Sequence, residues 1–116
     1  MIIPVVTRDM IYFSKLKSVI IGDYIIIQIK NEEDVDKLDL NDGVHIFIAD
    51  LNDTLIKKVL DKNNKIAVIG YYPHVMKDLK DWGEELGCVK ILPKGKLIKE
   101  VNKTIKTINE RLRMKN

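Results

Sequence analysis

The sequence predicts a doubly wound α/β domain, a parallel sheet with helices on both faces. Five apolar runs alternate with five segments of helical spacing along residues 1–116, the order that builds strand-helix-strand units. The middle run, Val44-His45-Ile46-Phe47-Ile48-Ala49, shows no polar alternation, as befits a strand buried on both faces. It ends in Asp50, followed by Leu51-Asn52-Asp53. A carboxylate therefore stands at the carboxyl end of the central strand, where open α/β sheets place their sites.

Taken in order, residues 1–6 form an apolar run interrupted by Pro4. Proline supplies no ladder amide, so an irregular or bulged first strand is expected. After Thr7-Arg8-Asp9, the residues Met10, Phe13, Leu16, Lys17 and Ile20 fall near one helical face, with Thr7 or Asp9 available as the cap. Ile21-Gly22-Asp23 turns the chain into a second strand over 24–29. Asn31 caps a short acidic helix over 32–38, and Asn41-Asp42-Gly43 is a turn into the central strand.

A helix over 54–60 presents Leu55, Val59 and Leu60 and stops at Asn63-Asn64. The fourth strand is read over 66–69, with Gly70-Tyr71-Tyr72-Pro73-His74 as the loop at its carboxyl end. Val75, Leu79, Trp82 and Leu86 make one helical stripe ended by Gly87. The fifth strand is 89–92, followed by Pro93-Lys94-Gly95. The last helix has the clearest stripe, Leu97, Val101, Ile105, Ile108 and Leu112, with Lys99, Lys103, Lys106 and Arg113 elsewhere on it.

Composition bounds the function. The apolar share of 46% and charged share of 32% describe one globular domain spanning 1–116, with only 6% aromatic residues. A single cysteine, Cys88, excludes an internal disulfide and gives no metal-ligand spacing, so a reducing compartment is expected. No leader precedes the first strand, and no apolar run approaches the roughly 18 residues of a membrane helix. A cytoplasmic protein without membrane contact is the expectation. The net charge of +3 does not mark a nucleic-acid binder, and no glycine-rich phosphate loop is present.

Asp50-Leu51-Asn52 at the end of the third strand, the run Gly87-Cys88-Val89-Lys90-Ile91-Leu92-Pro93-Lys94 and the closing amphipathic helix resemble the receiver domain of response regulators. That resemblance covers nearly the whole chain. It implies a flavodoxin-like sheet of order 2-1-3-4-5, with Asp50 as the phosphoacceptor-like residue and Lys94 as the lysine that contacts a phosphoryl group. It also implies a protein partner or homodimer reached through the last two helices and the fifth strand. Two stretches, one from Val6-Thr7-Arg8-Asp9 to Leu16 and one from Ile69-Gly70-Tyr71 to Val75, are similar to a divergent group of receiver-like proteins.

The chain departs from the receiver pattern at two places. Where a receiver carries the acidic pair that holds magnesium, this chain reads Val6-Thr7-Arg8-Asp9, and only Asp9 stands available, displaced into the helix start. Where the fourth strand of a receiver ends in Thr or Ser, it reads Ile69-Gly70-Tyr71. Phosphoryl transfer depends on positioning and on neutralisation of charge by the metal, so weak or absent phosphorylation of Asp50 is expected.

Asp50 flanked by Arg8 and Lys94 reads either as an anion-responsive regulatory site in which Arg8 replaces the metal's charge, or as an inherited buried ion pair. His74, beside Tyr71 and Tyr72, is either an acid, base or ligand, or a helix-start residue with local hydrogen bonds. His45, Cys88 and Trp82 are assigned to structure and core. The leading expectation is a non-enzymatic, degenerate receiver-like regulatory or interaction module that needs no cofactor. The alternative is a small-molecule domain that binds a nucleotide or other anion through Arg8, Tyr72, His74 and Lys94. A DNA-associated regulator using the lysines of the last helix is a weaker third.

Overall fold

The computed structural model describes residues 1–40, 45–63 and 65–114. Strands β1 (Ile2–Val6), β2 (Ile25–Ile29), β3 (His45–Asp50), β4 (Ile66–Tyr72) and β5 (Lys90–Pro93) alternate with helices α1 (Met10–Val19), α2 (Glu32–Lys37), α3 (Leu55–Lys62), α4 (Asp78–Glu85) and α5 (Lys94–Met114). All strand pairings are parallel, in the order β2-β1-β3-β4-β5. This is the doubly wound, flavodoxin-like architecture expected from the sequence. The Asn41-Asp42-Gly43 turn, Val44 and Asn64 lie outside the described residues.

The core has two layers, one on each face of the sheet. On one face Ile3, Val5, Ile46, Ile48, Ile69 and Tyr71 pack against Tyr12 and Leu16 of α1 and Leu97, Val101, Ile105 and Ile108 of α5. On the other, Val6, Phe47, Ala49 and Val68 pack against Val35 of α2 and Leu55, Ile56 and Val59 of α3, with Trp82, Leu86 and Cys88 half-buried beside them. The alternation of side chains along each strand divides these sets. Asp50 therefore shares its face with Ile46, Ile48 and, across the ladder, Tyr71.

Pro4 causes no bulge. The β1–β2 register runs unbroken from Ile2↔Ile25 to Val6↔Ile29, and among the described residues β1 pairs β3 at Val5 and Val6 alone. The Ile25 amide donates to the Met1 carbonyl, which turns the odd-numbered groups of β1 toward β2 and the missing donor of Pro4 toward β3. The β1–β3 ladder simply begins after the proline.

Most boundaries shift by one or two residues from the sequence reading, and four differences are larger in consequence. β4 continues through Gly70, Tyr71 and Tyr72, which were read as a loop, because they pair with Ala49 and Asp50 of β3 and with Ile91, Leu92 and Pro93 of β5. Val75 is 85% exposed and precedes α4, so the apolar stripe of that helix starts later. Met10 of α1 also faces solvent, and Tyr12 takes the core position instead. At the other end α5 starts directly at Lys94.

Candidate functional site

Of the residues read as a site, Arg8, Asp9, Asp50 and Lys94 stand at the carboxyl ends of β1, β3 and β5, and Tyr72 and His74 at and beyond the end of β4. Asp50 ends β3 half-buried, with Thr7 past β1 on one side and Tyr71 of β4 opposite it on the other. Asp50 Oδ1 accepts the Asn52 amide at 2.9 Å, which fixes the turn after the strand, and Oδ2 faces the Thr7 hydroxyl at 3.4 Å. Burial pushes the Asp50 carboxyl above its usual range. The Asn52 amide and the Thr7 hydroxyl oppose that shift, Asp53 adds to it, and Lys94 is the smallest influence.

The two cations do not flank Asp50. Arg8 Nε lies 2.6 Å from Asp53 Oδ2 and Lys94 Nζ 2.8 Å from Asp9 Oδ2. The expected arrangement of Asp50 between Arg8 and Lys94 is corrected accordingly, because each basic side chain forms its ion pair with a different carboxylate, one at the head of α1 and one in the turn before α3. Asp53 is positioned by its own turn, its Oδ1 accepting the Leu55 amide at 3.0 Å at the head of α3.

Asp9 is the N-cap of α1. Its Oδ1 accepts the Tyr12 amide at 2.9 Å, its backbone is extended, and its own amide donates to the Thr7 hydroxyl at 3.1 Å. The Lys94 ammonium is the first cause that lowers the Asp9 pKa, followed by the Tyr12 amide. Lys94 is held further by Tyr12, whose ring lies 4.7 Å below its ammonium and whose hydroxyl donates to its carbonyl at 2.6 Å.

Tyr71 fills the space where β4 meets Asp50. It is 1% exposed, its hydroxyl has no hydrogen-bond partner among the described residues, and its ring is 4.6 Å from that of Tyr12. Burial is the leading cause that raises both phenols. Strand alternation turns Tyr72 to the opposite face from Tyr71 and Asp50. His74 is exposed in the turn after β4, where the Met76 amide donates to the Pro73 carbonyl. Arg8, Tyr72, His74 and Lys94 are thus tied to different surroundings. Cys88 is half-buried behind α4, and burial pushes its thiol up to about 11.

Thr7, Tyr12, Asp53 and Tyr71 are the residues of this region that sequence reasoning did not single out as a site. Two signals were present in the chain. Tyr12 stands three residues after the capping Asp9, and Tyr71 alternates with Ala67 and Ile69 on one strand face.

The strand order and the carboxylate at the end of the central strand define a receiver-like α/β domain. The chain is similar in structure to a response regulator from Thermotoga maritima, with a TM-score of 0.71 and 22% identity over 92% of this chain and 95% of that one. No protein-family model and no curated protein matches the sequence.

The magnesium ion that the receiver pattern implies does not fit these residues. Asp9 and Asp53 are each occupied by a basic side chain and a helix-start amide, so a divalent cation would have to displace Lys94 or Arg8. Among the described residues, no group of three or more His, Cys, Asp and Glu is placed to hold a metal ion. No helix among them is long and apolar enough to cross a membrane.

Proposed function

We propose that this chain is a degenerate receiver-like regulatory module, non-enzymatic and acting in the cytoplasm, that works by binding a protein partner and not by efficient phosphorylation of Asp50. The observation that carries the reading is the distribution of charge at the strand ends. Asp9 and Asp53, the carboxylates in the turns beside Asp50, are paired with Lys94 and Arg8, while the hydrogen bonds Asp50 accepts among the described residues come from the Thr7 hydroxyl and the Asn52 amide, with Lys94 only a weak, unbonded influence. Among the described residues its half-buried carboxyl has neither the metal donors nor an unpaired cation beside it to stabilise the charge of a transferring phosphoryl group.

The partner surface we assign is the face formed by α4, β5 and α5. Val89 is 47% exposed there, and α5 displays its lysines away from its buried stripe. The fold supports this reading by likeness alone. Intact-mass analysis after incubation with magnesium and acetyl phosphate tests it. The expected outcome is no phosphoryl adduct on the wild type. Stoichiometric labelling that disappears in Asp50→Asn overturns it.

A further inference from the structure

The charge of this molecule is divided between the two faces of its sheet. Helices α1 and α5, which share one face, carry nine lysines and arginines against two glutamates. On the other face, α2, α3 and α4 carry five lysines against nine carboxylates. The chain-wide charge of +3 thus conceals a basic layer set against an acidic one. It is the distribution of charge, more than its sum, that steers a charged partner.

Within the basic layer the charge is gathered on one ridge. Leu97, Val101, Ile105 and Ile108 bury one side of α5. At 3.6 residues per turn Lys99, Lys103 and Lys106 fall on the opposite side, and all three are exposed. Lys96 extends the row one turn toward the start of the helix, and Glu110 ends it one turn beyond Lys106. Lys37, Lys58 and Lys94 each meet a carboxylate, whereas among the described residues Lys99, Lys103 and Lys106 meet none. Lys96 has only Glu100, at 3.7 Å.

The ridge is polar throughout. Every exposed position of α5 from Lys96 to Arg113 carries a polar or charged side chain, and the helix has no aromatic residue. A protein partner needs an apolar centre to the patch, and a membrane surface needs an apolar face to enter. A single nucleic-acid strand needs aromatic platforms. A bare row of cations suits the phosphate backbone of a duplex, whose protein interfaces are more polar and more positive than those between proteins. From Lys96 to Lys106 the helix rises about 15 Å, a length over which one strand of a duplex presents about four phosphates.

We infer that the α5 ridge is a binding surface for the backbone of duplex DNA, engaged without regard to base sequence. Lys96, Lys99, Lys103 and Lys106 make the phosphate contacts, and the acidic layer turns the opposite face of the molecule away from the polyanion. The ridge acts independently of Asp50 and adds DNA to the protein partner proposed above.

Fluorescence anisotropy of a labelled DNA duplex, titrated with the whole chain at several salt concentrations, tests this, with folding of each variant checked by circular dichroism. The wild type is expected to bind at about 50 mM salt and to weaken with a log–log slope of about −3 to −4, as about four phosphate contacts require. The triple variant Lys99→Gln, Lys103→Gln, Lys106→Gln is expected to lose more than about tenfold in affinity and to bring the slope to about −1. Its control, Lys57→Gln with Lys77→Gln and Lys80→Gln, makes the same change of net charge at exposed lysines elsewhere and is expected to bind like the wild type. No binding at about 50 mM salt overturns the proposal. So does a ridge variant that binds like the wild type, or a control that loses as much as the ridge variant. Tighter binding of duplex RNA or of polyglutamate than of duplex DNA overturns the choice of occupant.

Discussion

Asp9 caps α1 with one carboxylate oxygen and holds Lys94 with the other. Asp9→Ala is expected to cost about 1 kcal/mol through the lost cap and a few tenths more through the half-exposed pair. Asp9→Asn keeps the cap and loses only the smaller part. The Asp9 pKa is lowered in the folded state, so the ion pair's contribution is present above the unfolded value of 3.8 and is lost as the pH falls through the folded one. Urea melts from neutral pH down to below 3.8 should show the wild type converging on Asp9→Asn, while Asp9→Ala stays less stable than both. The sequence placed Asp50, Asp9 and Lys94 at the strand ends because periodicity locates those ends. It could not show that Arg8 turns to Asp53, since that choice depends on how the turn after β3 folds in three dimensions.

At the scale of elements, the contact between β4 and α4 turns on Leu51, the residue after Asp50. A methyl group built at Gly70 would lie 2.9 Å from Leu51 Cδ1 and 3.1 Å from its Cγ and Cδ2, and one built at Gly83 of α4 would lie 2.8 Å from Leu51 Cδ1 and 2.9 Å from Ile91 Cδ1. Leu51 is 1% exposed, so its whole side chain has to move for Gly70→Ala, at an expected cost of about 1–3 kcal/mol. Leu51→Ala, which removes the obstructing atoms, is expected to bring the double variant below the sum of the single costs in a double-mutant cycle.

The order of strands and helices was legible because each element carries its own period, most plainly the stripe of α5. The end of β4 was not. Gly70, Tyr71 and Tyr72 followed by Pro73 have the composition of a turn, and only pairing on both sides holds them in the sheet. Nor does a glycine within α4 advertise that it makes room for a leucine from the turn after β3.

For the molecule as a whole, the two phenols packed between the sheet and its α1–α5 layer set an alkaline limit. Burial raises the pKa of both Tyr12 and Tyr71 above the ordinary value of 10.0, so the folded state disfavours the phenolates. Stability from this source is complete below 10.0 and falls as the pH rises above it. Spectrophotometric titration is expected to show these two tyrosines ionising together with loss of the fold, and Tyr71→Phe is expected to delay that transition. Tyr71→Phe also removes a buried hydroxyl that has no partner among the described residues, so at neutral pH it should be neutral or stabilising by up to about 1 kcal/mol.

The late start of the ladder between β1 and β3 gives the sheet a mechanical character. β1 and β2 are bonded along their full length, yet among the described residues the backbone ladder that joins this leaf to β3 is confined to Val5 and Val6, and the other end of the leaf is held by the packing of Ile3 and Ile26 in the core. A load that spreads that end therefore works first against side-chain packing, and the backbone bonds that resist it lie directly beneath Thr7. Beyond that packing the strain falls on the bonds that Thr7 makes to Asp50, Asp9 and Gln28, so a pull on the edge of the sheet reaches its central carboxylate.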